Sequence, residues 1–192
     1  MAPIEERAGS RAPLPRDQAA LAVARCVVVS LCLLVRGRLR CPRTRVGVRV
    51  RFGDGSTATI YRETTVADAV AARPCALVVR FRLRWVRGRG HALFRAESLL
   101  NTPLFAGFPG FVAKWWLAAD DNGVYRGLYE WDDAARADAY ARALWRVLAL
   151  VSVPGSIDYT VLPGRHRDDL LAAAAPGAVE AAPGEWWRPV AG

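Results

Sequence analysis

The chain has 192 residues, 53% of them hydrophobic and 23% charged, with a formal net charge of +9. That is enough apolar material for one domain with its own core plus an extension, and it excludes a wholly disordered chain. The charge hints at nucleic acid, but it is lopsided: Met1–Gly90 holds 18 arginines against 6 acids, and His91–Gly192 holds 9 basic residues against 12 acids.

Lys114 is the single lysine. Such arginine- and alanine-heavy usage follows from a GC-rich genome, so nucleic acid is not an expected partner. Four cysteines (Cys26, Cys32, Cys41, Cys75) lie in the first half at spacings that fit no common zinc pattern. They are expected to be reduced thiols of a cytoplasmic protein, with no metal site.

Residues 1–16, with three prolines, are expected to be a disordered tail. The segment 17–44 is apolar and then basic, and is expected to be helical. Its apolar run Cys26–Val35 is ten residues long, short of the roughly 20 that a spanning helix needs. Three readings stand: a helix packed on the domain, a membrane-surface helix within residues 17–45 whose arginines meet headgroups, and an anchor.

Residues 45–73 are expected to form a hairpin extension and linker. Val46, Val48, Val50 and Phe52 alternate with Gly47, Arg49 and Arg51, a period of two. The turn "GDGS" reverses the chain, and Thr57–Glu63 returns. From Cys75 the order is strand, helix, strand, strand, helix, strand. "CALVVRFRLRWV" alternates apolar residues with Arg80, Arg82 and Arg84. "HALFRAESLLNTPLF" has helical spacing up to Pro103.

Phe111–Leu117 and Val124–Trp131 are strands joined by a turn holding Asn122-Gly123. "DDAARADAYARALWRVLALVS" is a helix capped by Asp132 or Asp133, and "IDYTVLP" is the last strand. Residues 165–192 are expected to be a C-terminal tail with an outlying "EWWRPV".

A β-α-β-β-α-β order over 74–164 is the ferredoxin-like α+β plan. Within it, Pro109-Gly110, Lys114-x-Trp116, Gly127-x-Tyr129-x-Trp131, Asp132 and Tyr140 form an ordered set. That set resembles the YdhR-like monooxygenases of the dimeric α+β barrel superfamily. The resemblance covers residues 75–164, about half the chain. It implies a homodimer whose sheets share a barrel and a pocket between sheet and helices. It also implies oxidation of hydrophobic aromatic molecules by oxygen without metal or flavin, so no cofactor is expected.

Strand alternation places Tyr125, Gly127, Tyr129 and Trp131 on one face, expected to lie under the helices. With Trp115 and Tyr140 they are the candidate substrate-binding residues, and Gly127 is expected to leave a gap for a flat ligand. Two readings stand for these rings, pocket lining and core filler. The opposite face is expected to carry Arg80, Arg82, Arg84, Lys114 and Arg126, met by Glu130 and Asp158; three readings stand, an ion network between subunits, a solvated face of a monomer and a site for an anionic ligand.

His91 is the candidate general base by residue type and Asn101 the candidate orienting amide, both set against the reading of ordinary loop and helix-end residues. Neither histidine falls on a pocket element, so haem is not expected. A non-enzymatic binding protein is the alternative. It is separated from an enzyme by whether any polar group faces into the pocket.

Overall fold

The computed structural model describes residues 12–84, 102–172, 181–182 and 184–190. In chain order these form α1 (Arg16–Val35), β1 (Leu39–Arg40), β2 (Arg49–Phe52), β3 (Thr57–Val66) and β4 (Cys75–Arg82). A 3-10 turn (Thr102–Leu104), β5 (Phe111–Leu117), β6 (Val124–Trp131), α2 (Ala134–Val151), β7 (Asp158–Pro163), α3 (Arg167–Ala172) and β8 (Pro189–Val190) follow.

The sheet runs β7-β4-β6-β5-β3-β2-β8, with β1 pairing β3 off this path. The pairings β4–β6, β4–β7 and β5–β6 are all antiparallel. Taken in their own order, β4, β5, β6 and β7 stand as 4-1-3-2, which is the ferredoxin-like arrangement, so the expected fold is present. The β2–β3 hairpin adds to this sheet through β3–β5, in a register where Thr64 faces Lys114 and Arg62 faces Trp116.

Local chemistry accounts for the elements. Asp133 caps α2, its side chain accepting from the Ala135 and Arg136 backbone N–H groups. The "GDGS" turn closes through Phe52 N–H to the Ser56 carbonyl, with Gly55 at φ +80°.

Both faces of the sheet are buried. On the helix face, Leu77, Val79, Phe111, Trp116, Tyr129 and Trp131 pack with Phe105, Phe108 and Tyr140. On the other face, Val78, Trp115, Leu117, Leu128 and Ile60 pack with Phe52, Leu170, Trp186 and Trp187. The "EWWRPV" stretch therefore does not behave as an outlier. It closes the second core, and its Pro189-Val190 pairs with β2. The face through which the family resemblance implies pairing with a second chain carries this chain's own C-terminal segment.

Trp187→Ala is expected to lower the unfolding free energy by about 3 kcal/mol, as loss of a buried indole does. Denaturant titration of the variant checks this, and a dispensable tail would give no change.

Candidate functional site

A cavity of 360 Å³ opens on the helix face, between the sheet and α2, within the range typical of small-molecule sites. Its floor is Lys114 and Trp116 of β5 with Tyr125, Gly127 and Tyr129 of β6. Phe81 and Tyr61 stand at its sides, Leu104 and Phe105 follow from the 3-10 turn, and Tyr140, Leu144, Val147, Leu148 and Val151 come down from α2.

The rings are ordered by direct contacts. Phe81 stacks on Tyr125 at 5.8 Å between centroids, and Phe105 meets Trp116 edge-on at 5.1 Å. Tyr129 and Tyr140 share a hydrogen bond between their hydroxyls of 3.1 Å, and burial pushes both phenols above their ordinary range. The Trp116 indole N–H donates to Thr64 Oγ1 at 3.0 Å.

Lys114 is the unusual group. It is 6% exposed, and its Nζ lies over the rings of Trp116 (3.2 Å), Phe105 (4.4 Å) and Tyr129 (4.6 Å). Among the described residues, no carboxylate and no hydrogen-bond acceptor meets it. Burial holds its amine well below the ordinary lysine value, and the Arg62 guanidinium pushes the same way. Arg62 also lies over Trp116, at 4.1 Å, and donates to Thr102 Oγ1. A desolvated amine against an apolar cavity gives up its proton more readily than a free lysine, and the neutral amine is a base or a nucleophile toward a carbonyl.

The candidate residues sort as follows. Tyr125, Tyr129 and Tyr140 line the cavity together. Trp131 lies beyond it, fully buried between Phe111 (5.6 Å) and Tyr140 (4.8 Å), as core. Trp115 faces the opposite way, under the Arg167 guanidinium at 3.8 Å. The gap expected at Gly127 is taken by the Tyr129 ring, since a Cβ on Gly127 would sit 2.6 Å from Tyr129 Cε2. His91 and Asn101 lie outside the described residues.

Lys114, expected with the arginines on the opposite face, stands instead on the cavity face together with Trp116. The register of β5 on β6, which sets Lys114 opposite Tyr129 and Trp116 opposite Gly127, decides this.

The far face carries Arg80 and Arg126, and both are matched by carboxylates within the chain. Arg126, 3% exposed, pairs with Asp120 and Asp54, both at 2.7 Å. Arg80 pairs with Asp158 (3.2 Å) and Asp54 (3.5 Å) and stacks on Trp186. The expected contact with Asp158 is present, but Asp54 and Asp120, from two turns, supply most of the countercharge without a second subunit. Glu130 instead meets His166 Nδ1 at 2.7 Å, which raises the imidazole pKa.

Among the described residues no group of three or more His, Cys, Asp or Glu is placed to hold a metal. The four cysteines are free, and burial pushes the Cys75 thiol up to about 12.

No protein-family model and no curated protein matches the chain. Solved structures are similar to it, three of them as follows. One is an uncharacterized ferredoxin-fold protein related to antibiotic biosynthesis monooxygenases from Listeria monocytogenes 4b F2365 (TM-score 0.42, 10% identity, 58% of this chain and 66% of that chain). Another is a major regulator of staphylococcal pathogenesis (0.41, 12%, 57% and 69%). The third is an anthrone oxidase-like protein (0.40, 14%, 58% and 55%). The ferredoxin-like assignment rests on the strand order itself.

The lowered Lys114 value has a signed consequence. Between that value and the ordinary lysine value of about 10.4, the unfolded chain holds more protons than the folded one. The contribution of this position to stability therefore rises with pH across the window and is lost as pH falls through it. Lys114→Met is expected to flatten that rise and to stabilise the fold at neutral pH by about 1–3 kcal/mol. Denaturant unfolding of both proteins across neutral and alkaline pH reads the difference.

Proposed function

We propose that the chain is a small-molecule enzyme whose cavity takes a flat hydrophobic aromatic substrate, and that Lys114 acts as its general base. The observation that supports this most is the unpaired amine in the wall of an otherwise apolar and phenolic cavity. A cavity of satisfied tyrosines alone would favour mere binding, and Lys114 is the polar group that an enzyme of this type needs.

The chemistry follows from the amine. A neutral Lys114 accepts a proton from an acidic phenol O–H, or from a C–H made acidic by a neighbouring aryl ketone. The resulting ammonium stands beside the substrate anion and stabilises it, in a site with few other charges. The electron-rich anion then gives electrons to dioxygen, and the carbon–oxygen bond forms as a hydroperoxide. Loss of water from that species leaves a quinone-type carbonyl, so one oxygen molecule becomes one carbonyl oxygen and one water.

This agrees with the resemblance of the Pro109–Tyr140 segment to the YdhR-like monooxygenases. Every cavity residue named comes from a single chain, so the reading does not depend on a dimer.

The test is a panel of phenolic and quinone-like polycycles, fatty acids and haem, read by tryptophan fluorescence and thermal shift, then by oxygen uptake. Polycycles are expected to quench Trp116 emission and raise the melting temperature. Lys114→Met is expected to retain binding while oxygen uptake falls about 100-fold or more, the worth of a general base. Binding without oxygen uptake in the parent protein would make it a binding protein. Absence of any binding would return the rings to the role of core.

A further inference from the structure

The helix α1 leaves most of its aliphatic residues outside, although Val23 packs against the helix-face core. Its buried residues are small or polar, Ala19, Cys26 and Ser30, and its exposed residues include Leu21, Val28, Leu31, Leu34 and Val35. Leu21, Val28, Leu31 and Val35 recur at helical spacing and form one stripe. Val28 is 62% and Val35 87% exposed. Beside α1, across the groove it makes with α2, Leu150 is 72% exposed. A surface helix of a protein bathed only in water carries the opposite pattern. Small residues inward and aliphatic residues outward is the pattern of a helix that meets lipid.

The inward face is held by polar contacts as well as packing. Cys26 Sγ and Ser30 Oγ both donate to the Pro103 carbonyl, at 3.2 and 3.0 Å. Gly107 touches the helix so closely that a Cβ there would lie 2.2 Å from the Cys26 carbonyl oxygen. Before the helix, Leu14 N–H donates to the Arg142 carbonyl, and the Arg142 and Arg146 side chains donate to the Ala12 and Leu14 carbonyls. With 20 residues, α1 is long and apolar enough to cross a membrane by length and composition. These ties hold it against the domain, where lying along an interface keeps them and crossing would break them.

Charge identifies the partner. Between Asp17 and Asp54 the chain carries eight arginines and no acid. Arg36, Arg40 and Arg43, at the end of the helix and just beyond it, are exposed and form no ion pair among the described residues. Two copies packed stripe to stripe would bring these arginines together in a parallel pair. In an antiparallel pair they would face Arg16 and Arg25, with Asp17 alone to offset them.

We propose that the outward face of α1 rests on an anionic lipid bilayer, with its aliphatic stripe at the acyl boundary and Arg36, Arg40 and Arg43 on the headgroups.

The test is flotation of the full chain with vesicles of phosphatidylcholine alone or mixed equally with phosphatidylglycerol. The parent protein is expected to float with the anionic vesicles and not with the neutral ones, and to be released by salt. Val28→Glu with Leu31→Glu, both on the exposed stripe, is expected to lower partitioning by more than about tenfold with the melting temperature unchanged. Arg36→Glu with Arg40→Glu and Arg43→Glu is expected to do the same.

The proposal is overturned if the parent protein stays at the bottom with anionic vesicles, or if the Val28/Leu31 variant floats equally well. It is also overturned if sedimentation shows a dimer that this variant dissociates and that vesicles do not compete with. In that case the stripe is covered by a second copy.

Discussion

A sheet with an inner strand that is apolar in both directions must be covered twice, and the rest of this molecule is arranged to meet that demand. On β4, Leu77 and Val78 point to opposite faces and both are fully buried. An antiparallel sheet with one wet face would carry a polar residue at one of these positions. The first cover is α2 with the turn region 102–108. The second is assembled from parts far apart in sequence: the β2–β3 hairpin, α3 and the segment 184–190. The hairpin widens the sheet, and its outer strand β2 gives β8 an edge to pair with, which brings Trp186 and Trp187 beneath Val78 and Leu128. Extension and C-terminal segment are thus parts of one solution.

The two covers treat charge in opposite ways. Under the second, Arg126 is as buried as Lys114, yet two carboxylates lie within 2.7 Å of it. Such a cation has its desolvation offset by its partners, and its role is to join the hairpin tip and the β5–β6 turn to the sheet. Under the first cover, among the described residues, Lys114 has only ring faces to stabilise it. Ring quadrupoles offset a small part of the loss of hydration, so the position costs stability and leaves the amine easily deprotonated. A destabilising residue in the wall of a cavity is where a trade of stability against activity would fall if the proposed function holds.

How legible this was from the sequence depends on the range of the interaction. Alternation at Val48–Phe52 and Leu77–Arg82, the turn pairs at Asp54-Gly55 and Asn122-Gly123, and the cap at Asp133 are local signals, and they yield the strand order of the ferredoxin-like core. The face of β5 is not local. Ala113, Trp115 and Leu117 are apolar, but so is Trp116, because this strand is buried on both sides. A bulge between Phe111 and Ala113 also shifts the phase. Only pairing with Gly127 and Tyr129 tells which tryptophan meets the cavity. The same holds for Trp186 and Trp187, whose burial depends on a hairpin more than a hundred residues earlier in the chain. The tyrosines were legible because β6 carries a strict alternation whose apolar and charged faces differ.

The position of α1 links these two levels. Its inward side chains hold Pro103, and its backbone meets Gly107 without slack. Between those two residues lie Leu104 and Phe105, which form one wall of the cavity, and Phe105 is itself in contact with Trp116 and Lys114. Close-packed groups transmit small displacements rather than absorb them. A surface that bears on the outward stripe of α1 therefore bears on the cavity wall as well, through a path of two hydrogen bonds and one close backbone contact. If the cavity takes hydrophobic aromatic molecules as proposed, which partition into lipid, a helix seated at a bilayer would place the wall of the site beside the phase in which that ligand is concentrated.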